Sequence, residues 1–149
     1  MKIKEEIKQN QFRNSFQEIS INIIYTAGWL ANQHKEFFGK FGITPQQYNI
    51  LSILRGQYPG KISGAEIKSR MMDKNSDVSR LLDRLTAKNL VEKSQCPNDK
   101  RAADISINQD GLDLLKTIDL HSEELDGIVS KLSLQEAEQL SQLLDKVRG

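Results

Sequence analysis

Two short stretches gather the side chains best suited to gripping a polyanion: Lys74-Asn75-Ser76-Asp77 with Ser79, Arg80 and Arg84 soon after, and Asp99-Lys100-Arg101 further on. An arginine can hold the O6 and N7 of guanine in a two-pronged pair that discriminates by roughly 1 to 3 kcal/mol, and serine or asparagine bonds bases and phosphates alike. A carboxylate beside phosphates is repelled unless it accepts from a cytosine amine or serves its own chain. Asp77 therefore has two readings, a base contact or a stabiliser of a helix N-terminus. Catalysis needs a different inventory. The chain has two His and one Cys, with no metal-ligand spacing, no nucleophile motif and no phosphate-cradling glycine loop, so no enzyme activity, cofactor or metal is expected.

The charge is distributed to match. The net charge of +1 conceals a division along the chain: residues 1–60 hold 7 Lys/Arg against 4 Asp/Glu, residues 61–101 hold 10 against 6, and residues 102–149 hold 4 against 10. Nucleic-acid binding requires positive charge in one place rather than in total, and the middle of this chain supplies it. At 149 residues with 38% apolar side chains the sequence suits a single folded unit, 1–149. A lone cysteine, Cys96, excludes an internal disulfide and fits a reducing cytoplasm. The charged start, Met1 to Gln9, lacks the apolar core of a signal peptide, and the longest mainly apolar run, Ile23 to Ala31, is too short to span a bilayer.

Which elements would position those side chains follows from hydrophobic spacing. Phe12, Phe16, Ile19, Ile23, Ala27 and Leu30 recur at three and four, predicting one long amphipathic helix from about Gln11 to Phe38. Gly39 and Gly42 break it. Thr44-Pro45-Gln46-Gln47 supplies a hydroxyl cap, a first-position proline and a capping-box glutamine for a second helix that runs to Gly56. Ser63-Gly64-Ala65-Glu66 is a further capping box, opening a short helix anchored by Ile67 and Met71, with Ala65 a weak third. After the polar break at Asp73-Lys74-Asn75, Val78, Leu81, Leu82 and Leu85 define a fourth helix ending near Asn89. Two short helices joined in this way make a helix-turn-helix, though the spacing alone also suits any small helical bundle. With the leucines inward, about 100° of rotation per residue puts Ser76, Arg80, Asp83 and Ala87 on the opposite face.

Leu90 to Gln95 and Ala102 to Ile107 read as strands joined by the charged turn Cys96 to Arg101, which makes a hairpin. A hairpin directly after a helix-turn-helix is a wing, and its tip would offer Lys100 and Arg101 to a minor groove, while Lys61, Lys68, Arg70, Thr86 and Lys88 are placed for backbone contacts. Asn108 caps a helix striped by Leu112, Leu115, Ile118, Ser122 and Leu125 and reaching about Ser130. Ser133-Leu134-Gln135-Glu136 boxes a last one striped by Ala137, Leu140, Leu144 and Val147. The expected fold is mainly α with a small β-hairpin wing: four helices, two strands, two helices. A winged-helix module turned to protein association is the competing reading. The outward face of the fourth helix is polar, which speaks for a groove instead.

Over nearly its full length the sequence resembles the MarR family of bacterial winged helix-turn-helix transcriptional regulators. The residues that carry the resemblance are Thr44-Pro45-Gln46-Gln47-Tyr48-Asn49-Ile50-Leu51, Val78-Ser79-Arg80-Leu81-Leu82-Asp83-Arg84-Leu85, Lys88-Asn89-Leu90-Val91, and Asp99-Lys100-Arg101-Ala102 followed by Ile105-Ser106-Ile107 and Gly111. The resemblance implies a DNA-binding transcriptional regulator, a ligand-responsive repressor that occupies an inverted repeat of double-stranded DNA as a homodimer. It implies a winged helix-turn-helix DNA-binding part at 44–107 and dimerisation helices at 8–40 and 109–149. It makes Arg101 the minor-groove arginine and has Asp99 brace the wing by pairing with Arg84, although Asp99 also reads as a simple turn residue. A small aromatic or phenolic effector would lie between the two parts. Tyr25, Trp29 and Tyr48 are candidate linings, core packing being the other explanation of these aromatics, and His34 reads as a surface or interface residue. Oxidant-sensing members carry a reactive cysteine near the start of the first helix. This chain has none there, and Cys96, with Lys93, Lys100 and Arg101 near it in sequence, reads as an exposed thiol.

Overall fold

A computed structural model describes residues 1–96 and 99–149, with Cys96 and residues 99–102 described in backbone only. The chain forms α1 (Ile3–Glu6), α2 (Ser15–Gly39), α3 (Pro45–Gln57), β1 (Ile62–Ser63), α4 (Gly64–Arg70), α5 (Val78–Ala87), β2 (Val91–Cys96), β3 (Asp99–Ile107), α6 (Gln109–Asp119), α7 (Ser122–Gly127) and α8 (Leu134–Arg148). The three strands form one antiparallel sheet in the order β1-β3-β2, with Ile62 opposite Ile105 and Val91 opposite Ile107. The architecture is mainly helical with a small sheeted wing.

Most of the expected boundaries coincide with side-chain caps. Thr44 and Gln47 exchange hydrogen bonds of 3.1 Å in each direction at the start of α3, and Ser133 and Glu136 do the same for α8 at 3.1 and 2.9 Å. The box at Ser63 is only half made. Its hydroxyl accepts from the Glu66 N–H at 3.1 Å, but the Glu66 carboxylate turns to Arg70, one helical turn on, at 2.9 Å.

Four expectations need correction. The long helix starts at Ser15, because Asn14 takes the cap position and accepts from the Gln17 N–H at 2.9 Å, so Phe12 lies ahead of the helix. The charged start carries the one-turn α1, too short for a periodic signal, which buries Ile3 and receives the Tyr25 hydroxyl on Glu6 at 2.7 Å. Strand β1, two residues long, adds a third strand to the hairpin and hands its second residue, Ser63, to α4 as a cap. The helix expected to reach Ser130 ends at Asp119. There the Leu120 and His121 N–H groups bond three residues back, tightening the last turn, and His121 packs its ring on Phe41 at 5.4 Å. Ser122 therefore opens a new helix rather than extending the stripe.

The main core runs from Phe37 to Ile118. It joins the last turn of α2 to α3, α4, α5, the sheet and α6, with Phe38, Ile50, Leu51, Leu54, Ile67 and Leu85 almost fully enclosed. The outer helices contribute little. In α2 only Phe37 and Phe38 are buried, and α8 has no buried residue at all.

Where α6 meets the sheet, one position tolerates no side chain. A Cβ on Gly111 would stand 2.5 Å from the Leu90 carbonyl oxygen and 2.6 Å from Ile107 Cγ1. The neighbourhood is tied by Asn108, which caps α6 by accepting from the Gly111 N–H at 2.9 Å and donates to the Asn89 carbonyl at 2.7 Å. Gly111→Ala should lower unfolding free energy by about 1 to 3 kcal/mol in urea melts, the usual cost of overpacking. Gly64→Ala, whose nearest neighbour would be Leu82 Cδ1 at 3.9 Å, should leave it unchanged or slightly raised.

Candidate nucleic-acid interface

Helix α5 is oriented by what it buries. Val78, Leu82 and Leu85 enter the core and Leu81 is half-buried, which leaves Ser79, Arg80, Asp83 and Arg84 exposed. Arg80 and Arg84 carry no side-chain hydrogen bond or ion pair among the described residues, and neither does Lys68 on α4. Most neighbouring cations are engaged within the chain. Lys74 donates to the Ser69 carbonyl at 2.6 Å, Lys61 to the Ser94 hydroxyl at 3.2 Å, and Arg70 pairs with Glu66 at 2.9 Å. Thr86 likewise donates to the Leu82 carbonyl at 2.7 Å. A positive surface whose two α5 arginines are unclaimed while most of the cations around them are held is suited to receive an anionic groove.

The residues ahead of α5 divide by role. Asp77 is the N-cap, accepting from the Arg80 N–H at 3.2 Å, which is the chain-serving one of its two readings. Asn75 is exposed and its N–H donates to Asp73 at 2.9 Å. Ser76 is corrected: expected on the outward face, it is 8% exposed, and its hydroxyl has no partner among the described residues. The residue precedes the helix, so helical rotation did not apply to it, and the turn folds it inward.

The wing is held to α5 by a pair that sequence reasoning missed. Lys93 on β2 donates to the Asp83 carboxylate. The side chains of Cys96, Asp99, Lys100 and Arg101 lie outside the described residues, so the expected Arg84–Asp99 brace and the minor-groove arginine are not described either. The Asp83–Lys93 pair has the opposite polarity to that brace, an acid on the helix and a base on the strand. Its signal in the sequence is weak, an acid and a base ten residues apart on a helix and a strand not yet known to be neighbours.

The aromatic candidates do not converge. Tyr25 and Trp29 border an open cleft of about 700 Å³ between α2, the N-terminal segment and Lys131. Glu6 raises the phenol pKa of Tyr25 by accepting its hydrogen bond. Tyr48 instead stacks on Phe38 at 4.3 Å and packs against the core. His34 stands edge-on to Phe38 at 5.9 Å, and burial lowers its pKa. It borders a different cleft, of about 770 Å³, between α2 and the start of α3, with Leu30, Pro45 and Met72. Among the described residues no cluster of His, Cys, Asp or Glu is placed to hold a metal ion, and no helix is long and apolar enough to cross a membrane.

Comparison with known proteins gives this arrangement its relatives. The chain is similar to the HTH-type transcriptional regulator PecS of Dickeya dadantii, 25% identical over 146 residues, covering 92% of this chain and 88% of that protein. It is 36% identical over 76 residues to the HTH-type transcriptional repressor MdtR of Bacillus subtilis, covering 51% and 48% of the two chains. Its fold matches the crystal structure of a MarR mutant from Escherichia coli complexed with operator DNA at a TM-score of 0.77, with 24% identity over 93% of this chain and 99% of that one. The sequence model of the MarR family matches residues 43–103. Over that stretch the chain is similar to the MarR family. It is a helix-turn-helix transcriptional regulator, a role that involves no catalysis. The MarR match begins at the turn before α3 and ends within β3, so it covers the helix-turn-helix, β2 and the first part of β3.

The cap reading of Asp77 can be separated from a base contact by stability alone. Asp77→Ala should cost about 0.5 to 2 kcal/mol in thermal or urea unfolding, whereas Asp77→Asn, which caps equally well, should melt within a few tenths of a kcal/mol of the native chain.

Proposed function

We propose that this protein is a cytoplasmic, ligand-responsive repressor of the MarR family that binds an inverted-repeat operator as a homodimer. In this reading the segment 44–107 contacts DNA: α5 enters the major groove, Arg80 reads a base edge with Ser79 and Asn75 beside it, Arg84 and Lys68 meet the backbone, and Lys74 joins them on exchanging its bond to the Ser69 carbonyl for a phosphate. Arg101 and Lys100 on the wing take the adjacent minor groove. The observation that carries it is the unpaired, exposed Arg80 on the first turn of a helix whose opposite face is locked into the core.

The homodimer is supported by the outer helices. Phe16 on α2 is 80% exposed, and Leu143 and Val147 on α8 are 59% and 64% exposed. Segments 8–40 and 109–149 thus carry apolar stripes that their own chain does not cover, as helices do that bury a face against a partner. A small aromatic or phenolic effector fits the cleft between α2 and α3 bordered by His34, Leu30, Pro45 and Met72 better than the positions of Tyr25 and Trp29, because ligand there would touch both parts at once.

Fluorescence anisotropy with the DNA upstream of the protein's own gene tests the reading. The logarithm of the binding constant should fall with the logarithm of salt at about −0.9 per phosphate neutralised. Arg80→Ala should lose about 1 to 3 kcal/mol on the specific site and little on unrelated DNA, while Arg101→Ala should lose about 1 kcal/mol on both. Salt-insensitive binding, or none, would overturn it. Sedimentation should give twice the chain mass for the native protein and the chain mass for Leu143→Glu, since a buried unpaired charge opposes association.

A further inference from the structure

The recognition helix α5 ends in a fixed geometry. Asn89 takes a left-handed conformation at φ 58°, its N–H bonds the Thr86 carbonyl at 2.9 Å, and the Leu90 N–H reaches back to the Leu85 carbonyl at 3.1 Å. That pattern closes a helix and sets where the preceding residue, Lys88, begins its side chain. The Lys88 ammonium donates to the Gly42 carbonyl and to Gln47 Oε1, the latter at 3.3 Å. Gly42, at φ 74°, belongs to the turn between α2 and α3. Gln47 is only 2% exposed, and the same Oε1 accepts from the Thr44 N–H at 3.1 Å. One ammonium therefore joins the end of α5, the end of α2 and the first turn of α3.

Other ties hold these parts differently. Phe38 stacks on Tyr48 at 4.3 Å and Ile43 enters the core, contacts that are apolar and tolerate rotation. The ion pairs Lys40–Glu124 and Arg55–Asp119 connect α2 to α7 and α3 to α6 without touching α5. Among the described residues, Lys88 makes the polar side-chain contacts between α5 and the α2–α3 turn, and a charge-assisted hydrogen bond is directional. From its type and place in the sequence, Lys88 suits a phosphate contact. Its charged end is instead held by two carbonyl oxygens of the chain.

We propose that Lys88 is a positioning residue that sets the angle of α5 to α2, and through it the half-site spacing that a two-fold pair of these chains accepts. The proposal rests on the reading of the protein as a DNA-binding homodimer. In such a dimer α2 belongs to the shared body, so tilting α5 against it moves the two recognition helices relative to each other, and only one separation fits half-sites a helical turn apart.

The test uses the full-length protein, its best operator, and versions of that operator with one or two base pairs added to or removed from the spacer, each titrated over a range of salt. Lys88→Met keeps the aliphatic stem and removes the donor. Because both hydrogen bonds of the ammonium are lost, it should bind the best operator about five- to ten-fold more weakly. Its discrimination against the altered spacers should shrink by about the same factor, with the salt slope unchanged. Lys88→Gln, too short to bridge, should behave alike and takes the place of Lys88→Met if that variant melts below the assay temperature. A salt slope shallower by about 0.9 with spacing preference intact would make Lys88 a phosphate contact and overturn the proposal. Unchanged affinity and spacing preference would overturn it too. In both cases the native protein still binds DNA, so the broader reading stands; a native protein that binds no operator removes both.

Discussion

The direction in which α5 faces depends on the burial of Val78, Leu82 and Leu85 against a core whose other wall is Ile50, Leu51 and Leu54 of α3. Three side chains of this kind, each stabilising by about 1.5 to 3 kcal/mol when buried, outweigh any preference the polar residues of a ten-residue helix could express. Arg80 and Arg84 are exposed because the leucines are not. The hydrophobic term is non-directional, however, and fixes which face is turned out far better than it fixes the tilt of the axis. Tilt is left to directional contacts with other elements: Lys88 at the C-terminal end and the Asp83–Lys93 pair to the wing at the side.

Those contacts also sort the cations. Exposed ion pairs contribute little stability, about 0 to 1 kcal/mol, so the pairs at Lys93 and Arg70 are better understood as placement than as glue. Each one removes a positive group from competition for a phosphate and leaves Arg80, Arg84 and Lys68 as the positive groups of α4 and α5 unclaimed among the described residues. A guanidinium with no internal partner has no bond to break on meeting a base edge, which is the condition under which a bidentate contact discriminates most strongly.

The elements that sequence reasoning located well were those marked twice, by periodic apolar residues and by a cap. Thr44 with Gln47, Asp77 ahead of Val78, and Ser133 with Glu136 are examples, and with them came the outward placement of Arg80. What escaped lacked one of the two marks. Strand β1 is two residues long and the partner of Ile62 lies 43 positions away at Ile105, so no local pattern announces it. Ser76 was assigned a face by helical rotation though it stands before the helix starts. The break at Leu120 and His121 has no glycine or proline, and the ring contact with Phe41 that accompanies it is tertiary. Lys88 shows the same limit at the level of function. Its type and position suit a phosphate contact, and only the fold brings the Gly42 carbonyl to it across 46 residues.

The acidic tail acquires a reason in this arrangement. Residues 102–149 carry 10 Asp/Glu against 4 Lys/Arg, and the described structure puts most of them on α6, α7 and α8, outside the helix-turn-helix. A uniformly basic chain would bind any polyanion along any face, and its non-specific affinity would grow with each added charge. Placing the negative charge on α6, α7 and α8, and the positive charge on α4, α5 and the hairpin segment, gives the protein a polar orientation before contact. Like charge turns the outer helices away from DNA while the middle is drawn in. Because both terms are screened within about 8 to 10 Å at ordinary salt, the separation works only if the two surfaces are distinct faces of the molecule. The core from Phe37 to Ile118 makes them so by holding α5 and the wing as one body and leaving α8 outside it.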